Sequence, residues 1–272
     1  MNRGIIIFAH NNENIDYVKL SIVSAKLASK NLKLPVSLIS DEKSISRYDI
    51  NELKKSFDNI VISDIPKSTN KRILDNSIVS FLNFNRFTSW DLTPYDHTLI
   101  IDADYFIFTD KLNQYWDMDQ SLMISAGVDY FSDSFLGRGD VMVSDISIPL
   151  RWATTIMFKR NQESKLFFNL VEFVKENYIF YSNLYSFDSR MYRNDVAFSI
   201  AEHIMNGHMN INIYRLPCVK TLRSTAKILK LKKDSYLKFL LTEPENLILE
   251  IRNTDIHFLN KSDLMKNMEE FL

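Results

Sequence analysis

The sequence predicts an α/β fold with a Rossmann-like, mostly parallel central sheet flanked by helices. Three observations carry that expectation. Short β-branched apolar runs recur through the N-terminal part of the chain. Stretches with helical spacing separate them, as in a doubly wound sheet. Polar residues stand directly after the runs, at the strand ends where such sheets bind ligands.

Residues 4–9 (GIIIFA) are an uninterrupted apolar run that ends in His10, Asn11, Asn12 and Glu13, which reads as a buried strand opening into a loop. Val18, Ile22, Ala25 and Ala28 then recur at helical spacing across residues 17–30. Pro35 stops that helix, and residues 36–39 followed by Ser40 and Asp41 give a second strand. Leu53 marks a short helix, residues 59–65 (NIVISDI) a third strand, and residues 76–90 return to helical character. Residues 98–101 (TLII) form a fourth strand with Asp102 at its end. Farther on, residues 152–158 (WATTIMF) read as another buried strand, and Asn194 and Asp195 open a helix running through Ile200, Ile204 and Met205. Residues 127–145, with Asp129, Asp133, Gly137, Gly139 and Asp140, have the turn chemistry of a lid-like loop. No repeat or linker interrupts the chain, so residues 1–272 read as one domain.

Composition sets further limits. A chain of 272 residues, 46% hydrophobic and 25% charged, sustains a core without covalent staples. Cys218 is the sole cysteine, which excludes an internal disulfide and a thiolate zinc cluster. No apolar run has the length of a signal peptide or membrane span, so a cytoplasmic protein without stable membrane insertion is expected. Net charge is −1, yet Lys220, Arg223, Lys227, Lys230, Lys232, Lys233 and Lys238 face Asp234 alone. That run reads as a basic helical segment over 220–240. It is either a solvated helix face or a surface for a polyanion.

The chemistry concentrates after the fourth strand. Asp102 and Asp104, separated by Ala103, place two carboxylates at the end of a buried strand, where they suit a hard cation such as Mn²⁺ or Mg²⁺. The plainer alternative is a strand-end capping pair.

The block from Arg86 through Thr98 (RFTSWDLTPYDHT), followed by LIIDAD, resembles the glycosyltransferase family of glycogenin, galactinol synthase and bacterial lipooligosaccharide galactosyltransferases. The resemblance implies a GT-A fold and transfer, with retention, of a hexosyl or pentosyl group from a nucleotide-sugar, commonly a UDP-sugar. It implies that Asp102 and Asp104 hold the metal and that Arg86 contacts the first aspartate and the donor. Ala9, His10 and Asn11 then match the loop that holds the base and ribose, joined at that edge by Asp41 and Ala103. The segment Asp255 to Lys261 (DIHFLNK) resembles the family's C-terminal His-Phe-x-Gly motif, with Asn260 in place of the glycine. By that match His257 is a third metal ligand and Lys261 contacts the diphosphate. Thr154, in the strand resembling the one after the donor-sugar loop, joins the donor-binding candidates. Asn194 and Asp195 match a pair that binds the donor sugar, and Asp195 joins Arg86 as a catalytic candidate. Read from the residues alone, Asn194 or Asp195 is equally a helix N-cap.

The stretch Phe8, Ala9, His10, Asn11 and Asn12 contains no glycine and so no glycine-rich phosphate loop, which counts against a sugar nucleotidyltransferase or an NAD-dependent dehydrogenase. Two other readings stay open: a phage-type DNA glycosyltransferase acting on a hydroxymethylated base, and a non-catalytic GT-A-like binding protein. The acceptor is a glycan or DNA, the latter through the Lys220 to Lys238 run. The net charge favours the glycan.

Overall fold

The computed structural model describes residues 2–63, 71–74, 77–83, 85–131, 141–188, 191–209, 215–242 and 246–272. Its first three apolar runs pair as parallel neighbours. β1 (Arg3–Phe8) sets Ile5 opposite Val36 of β2 (Val36–Ser40), which in turn sets Ser37 opposite Asn59 of β3 (Asn59–Ile62). A hairpin of β4 (Lys71–Leu74) and β5 (Ser77–Ser80) follows. β6 (His97–Asp102) then joins the other side of β1, also parallel, with Phe8 opposite Asp102. After β7 (Tyr105–Phe106), β8 (Leu122–Ser125) and β9 (Val128–Tyr130), β10 (Trp152–Lys159) runs antiparallel to β6 and β8. The central sheet is therefore ordered β3-β2-β1-β6-β10-β8. Its direction of winding reverses between β1 and β6, where ligand crevices open in such sheets.

Ile5, Ile6 and Ile7 are fully buried, as a central strand covered on both faces requires. Gly4 admits the Tyr95 ring against β1, since a Cβ there would stand 2.3 Å from Tyr95 Cζ. α1 (Tyr17–Leu32) packs against β1, β2 and β7, its N-terminus capped by the Asp16 carboxylate. Short helices α2 (Glu42–Ile45), α3 (Ile50–Lys54) and α4 (Ser89–Leu92) follow. α5 (Gln162–Glu176), α6 (Tyr178–Leu184) and α7 (Asn194–Met205) come after β10, and Phe158, Phe167, Phe168 and Phe198 interlock between that strand, α5 and α7.

β11 (Val219–Leu222) starts a smaller unit. β12 (Lys227–Leu231), β13 (Tyr236–Leu241) and β14 (Leu247–Arg252) form an antiparallel meander. β15 (Ile256–Phe258) completes a second sheet ordered β7-β15-β11-β9, and α8 (Lys261–Asn267) packs against β12.

Three expectations are corrected. The basic segment is not helical: Leu237, Phe239 and Leu241 alternate inward along β13, and cross-strand burial against β14 overrides the lysine spacing. The helical stretch expected over 76–90 is instead β5, a 3₁₀ turn at Arg86–Thr88 and α4. Asp129 of the expected loop lies in β9, while Asp133, Gly137, Gly139 and Asp140 lie outside the described residues. Among the described residues, no helix is long and apolar enough to cross a membrane.

Candidate active site

β6 delivers Asp102 at its last position, and Asp104 follows in the turn into β7. β15 pairs antiparallel with β7 and sets His257 opposite Tyr105, so a residue from the far end of the chain arrives beside both aspartates. His257 Nε2 lies 3.4 Å from Asp104 Oδ1 and 3.5 Å from Asp102 Oδ2. Ligand atoms of all three residues fall within 4.8 Å of one another. Two carboxylates and one imidazole at this separation fit a hard divalent cation. Trp152 Nε1 donates to His257 Nδ1 at 3.4 Å. Because an indole N–H only donates, this contact turns the Nε2 edge of the ring toward the carboxylates.

Two cations complete the cluster. Arg86, from the 3₁₀ turn, pairs with Asp102 Oδ1 and donates to the Ala153 carbonyl. Thr154 Oγ1 donates to Asp102 Oδ2 at 2.7 Å. Lys261 Nζ, in the first turn of α8, stands 2.6 Å from Asp104 Oδ2. Burial by itself raises the Asp104 carboxyl, but the Lys261 ammonium and the His257 imidazole outweigh it and hold that group well below the usual carboxylate range. Asn260 caps α8 by accepting from Asp263 N at 3.1 Å, which gives the residue in the glycine position of the resembled motif a local role.

The opposite wall comes from α7, and here the capping expectation fails. Arg193 holds the N-cap position, and neither Asn194 nor Asp195 caps the helix. Asp195 Oδ1 accepts from Ala153 N at 2.9 Å, and its Oδ2 pairs with Arg193 at 3.0 Å. One residue at the start of β10, Ala153, is thus held at both of its backbone groups, its N–H by Asp195 and its carbonyl by Arg86. Asn194 Nδ2 donates to the Asn83 carbonyl at 3.0 Å, while its buried Oδ1 has no hydrogen-bond partner among the described residues.

These groups line a cavity of about 370 Å³, together with Ala103, Tyr17, Asn83, Tyr130, Trp152, Met191 and Leu259. Ala9, His10, Asn11 and Asp41 are not among the residues that line it. His10 holds Asn83 in place through its backbone N–H, 2.8 Å from Asn83 Oδ1, and burial lowers the pKa of its ring. Asn11 N donates to Ser44 Oγ at 2.8 Å. Asp41 caps α2 by accepting from Ser44 N and Oγ. Sequence reasoning did not single out Asn83, Tyr130, Met191, Arg193 or the hydrogen-bonding role of Trp152. Tyr130, whose phenol burial pushes up, reaches the cavity only because β9 pairs with β11.

No family model and no curated protein matches the sequence. Among solved structures, mouse xyloside xylosyltransferase 1 in its apo form superposes with a TM-score of 0.50 at 10% identity, over 81% of this chain and 87% of that one. The fold is GT-A. An active-site mutant of the galactosyltransferase LgtC gives a TM-score of 0.48 at 14% identity over 72% of this chain and 69% of its own. The apo glycosyltransferase GlyE of Streptococcus pneumoniae TIGR4 gives 0.43 at 14% identity over 74% of this chain. This chain spans 43% of GlyE. In GT-A terms, the aspartates follow the strand beside the switch point, and the second sheet brings His257 and Lys261 to the same edge.

Proposed function

We propose that the chain, as one GT-A domain, is a metal-dependent glycosyltransferase. It moves a sugar from a nucleotide-sugar donor, a UDP-sugar by the resemblance of its motifs, to a glycan acceptor. One observation carries the reading: Asp102, Asp104, His257, Arg86 and Lys261, from four separate segments, meet at the edge of one cavity. When bound, Mn²⁺ or Mg²⁺ would neutralise the donor diphosphate and assist its departure. Asp102, Asp104 and His257 are the residues that would hold it.

The chain's own groups do the rest. Arg86 and Lys261 present fixed positive charge to the diphosphate from within hydrogen-bond reach of the aspartates. Asn194 Oδ1 offers an unspent acceptor to a sugar hydroxyl, and leaving it buried without a partner costs stability that a ligand recovers. Trp152 and Tyr130 supply apolar wall that excludes water. The lining carboxylates at 102, 104 and 195 are all engaged by cations or backbone N–H groups. None of them stands ready as a general base, which supports transfer with retention, and Asp195 is then a positioning residue.

Incubation with a panel of UDP- and GDP-sugars and Mn²⁺, reading released nucleotide, tests this proposal. At least one UDP-sugar should be hydrolysed. Binding of a donor by calorimetry with no release from any of them would instead favour a non-catalytic GT-A-like protein.

A further inference from the structure

The β12–β14 meander is bolted to the site yet carries chemistry the site does not use. Its inner face is apolar, with Ile228, Leu237, Phe239 and Leu241 buried and Phe239 packed 5.2 Å from Phe131. Asn260 Nδ2 donates to the Ala226 carbonyl at 2.9 Å, and Ile228 N donates to Asp263. The meander is therefore fixed to the helix whose first residue is Lys261. On its other flank Arg223, directly after β11, lies 4.9 Å over the ring of Tyr130 in the cavity wall.

The outer face is cationic. Residues 219–252 hold eight lysines and arginines against four acidic residues, in a chain whose net charge is −1. The register puts Lys230 directly opposite Lys238, a like-charge pair that folding alone disfavours. Lys238 is offset by Glu250 at 2.8 Å, and Arg252 by Asp234 at 3.3 Å. Among the described residues, Lys227, Lys230, Lys232 and Lys233 make no ion pair. The sheet accepts a local repulsion that a polyanion would relieve.

We propose that this face docks an anionic polysaccharide, one bearing carboxylate, sulfate or phosphodiester groups, and leads it past Arg223 and Tyr130 to the cavity. That the docked chain is the sugar acceptor rests on the glycosyltransferase reading; the docking itself does not. A polysaccharide fits better than nucleic acid because, among the described residues, the face offers one aromatic, Tyr236. Lys232 and Arg252 already sit over its ring at 5.9 and 4.8 Å, so it is not an open stacking platform for bases. Leu240 and Ile248, on the same face, suit the C–H surfaces of sugar rings.

Binding is measured against polygalacturonate, neutral dextran and a short DNA duplex, for the native protein, K230E/K232E/K233E and the milder K230Q/K232Q/K233Q. Polygalacturonate should bind, dextran should not, and affinity should fall at least ~10-fold between roughly 50 and 200 mM salt, because the counterions that binding releases from the polymer gain less entropy at higher salt. The Glu variant should lose at least ~10-fold in affinity and the Gln variant less. Donor hydrolysis should stay unchanged in both. Unaltered affinity in the variants, equal binding of dextran, or a tighter hold on the duplex than on polygalacturonate would each overturn the proposal. Absence of donor hydrolysis in the native protein would overturn the glycosyltransferase reading instead, and leave the docking result to stand by itself.

Discussion

The carboxylate end of β6 and the outer face of the meander use charge in opposite ways. Around Asp102 and Asp104 each buried carboxylate meets a cation inside the fold, Arg86 on the first and Lys261 on the second, with the His257 ring beside both. On the meander like charges stand side by side toward solvent, with Lys230 opposite Lys238. Desolvated pairs are costly to break, because the survivor is left buried and uncompensated. Solvated lysines cost little to remove, and their effect on a partner works through salt-dependent association. The first arrangement suits positioned chemistry and the second suits docking, and substitutions should separate them sharply.

The largest expected effect is at Asp104. Asp104→Asn removes a proposed metal ligand and strands Lys261, so nucleotide release should fall at least ~10³-fold, about 4 kcal/mol of transition-state stabilisation. A loss below tenfold in a protein with a native circular dichroism spectrum would dissolve the contrast.

Next is pH. His97, at the other end of β6, has its imidazole pushed down to about 4, by burial first and then by Lys159 and Arg3. The unfolded chain takes up that proton near pH 6.5 and the folded one only near 4. Stability from this group is therefore full above 6.5 and lost as pH falls through that window, by roughly 2–3 kcal/mol. Urea melts of the native protein and of His97→Phe, which keeps an aromatic edge for Trp116, should diverge between pH 6.5 and 4. Parallel curves would show that the acid sensitivity lies elsewhere.

A smaller effect separates positioning from catalysis. Asp195→Asn keeps an acceptor for Ala153 N but loses the Arg193 ion pair, so about 1–2 kcal/mol of stability should go. Release should fall less than ~100-fold, with no change in the shape of its pH profile. Loss of one limb of that profile would make Asp195 a base after all. The smallest effect belongs to the meander, where K230E/K232E/K233E should shift unfolding free energy by no more than ~0.5 kcal/mol. A drop of several kcal/mol would mean that those lysines hold the fold together.

The same contrast explains what the sequence made legible. Runs such as GIIIFA and TLII are short, rich in β-branched residues and followed by polar residues, which together favour buried strands, so β1, β6 and the acids after them follow from local pattern. His257 and Lys261 came from a resemblance in motif, because their approach depends on β15 pairing with β7 across some hundred and fifty residues. Asn83, Tyr130 and Arg193 carry no local signature: one is held by His10, one arrives on a strand of the second sheet, and one precedes a helix. The lysine run misled because spacings of three and four imitate a helix face. Only the pairing of β13 with β14 shows that the apolar period is two.

The most direct test of the central claim is a chelation and restoration cycle on donor hydrolysis. Nucleotide release from whichever nucleotide-sugar of the panel is hydrolysed fastest should vanish in EDTA and return when Mn²⁺ or Mg²⁺ is added in excess, while Asp104→Asn should remain silent throughout. Release that persists undiminished in EDTA would contradict a divalent cation held by Asp102, Asp104 and His257.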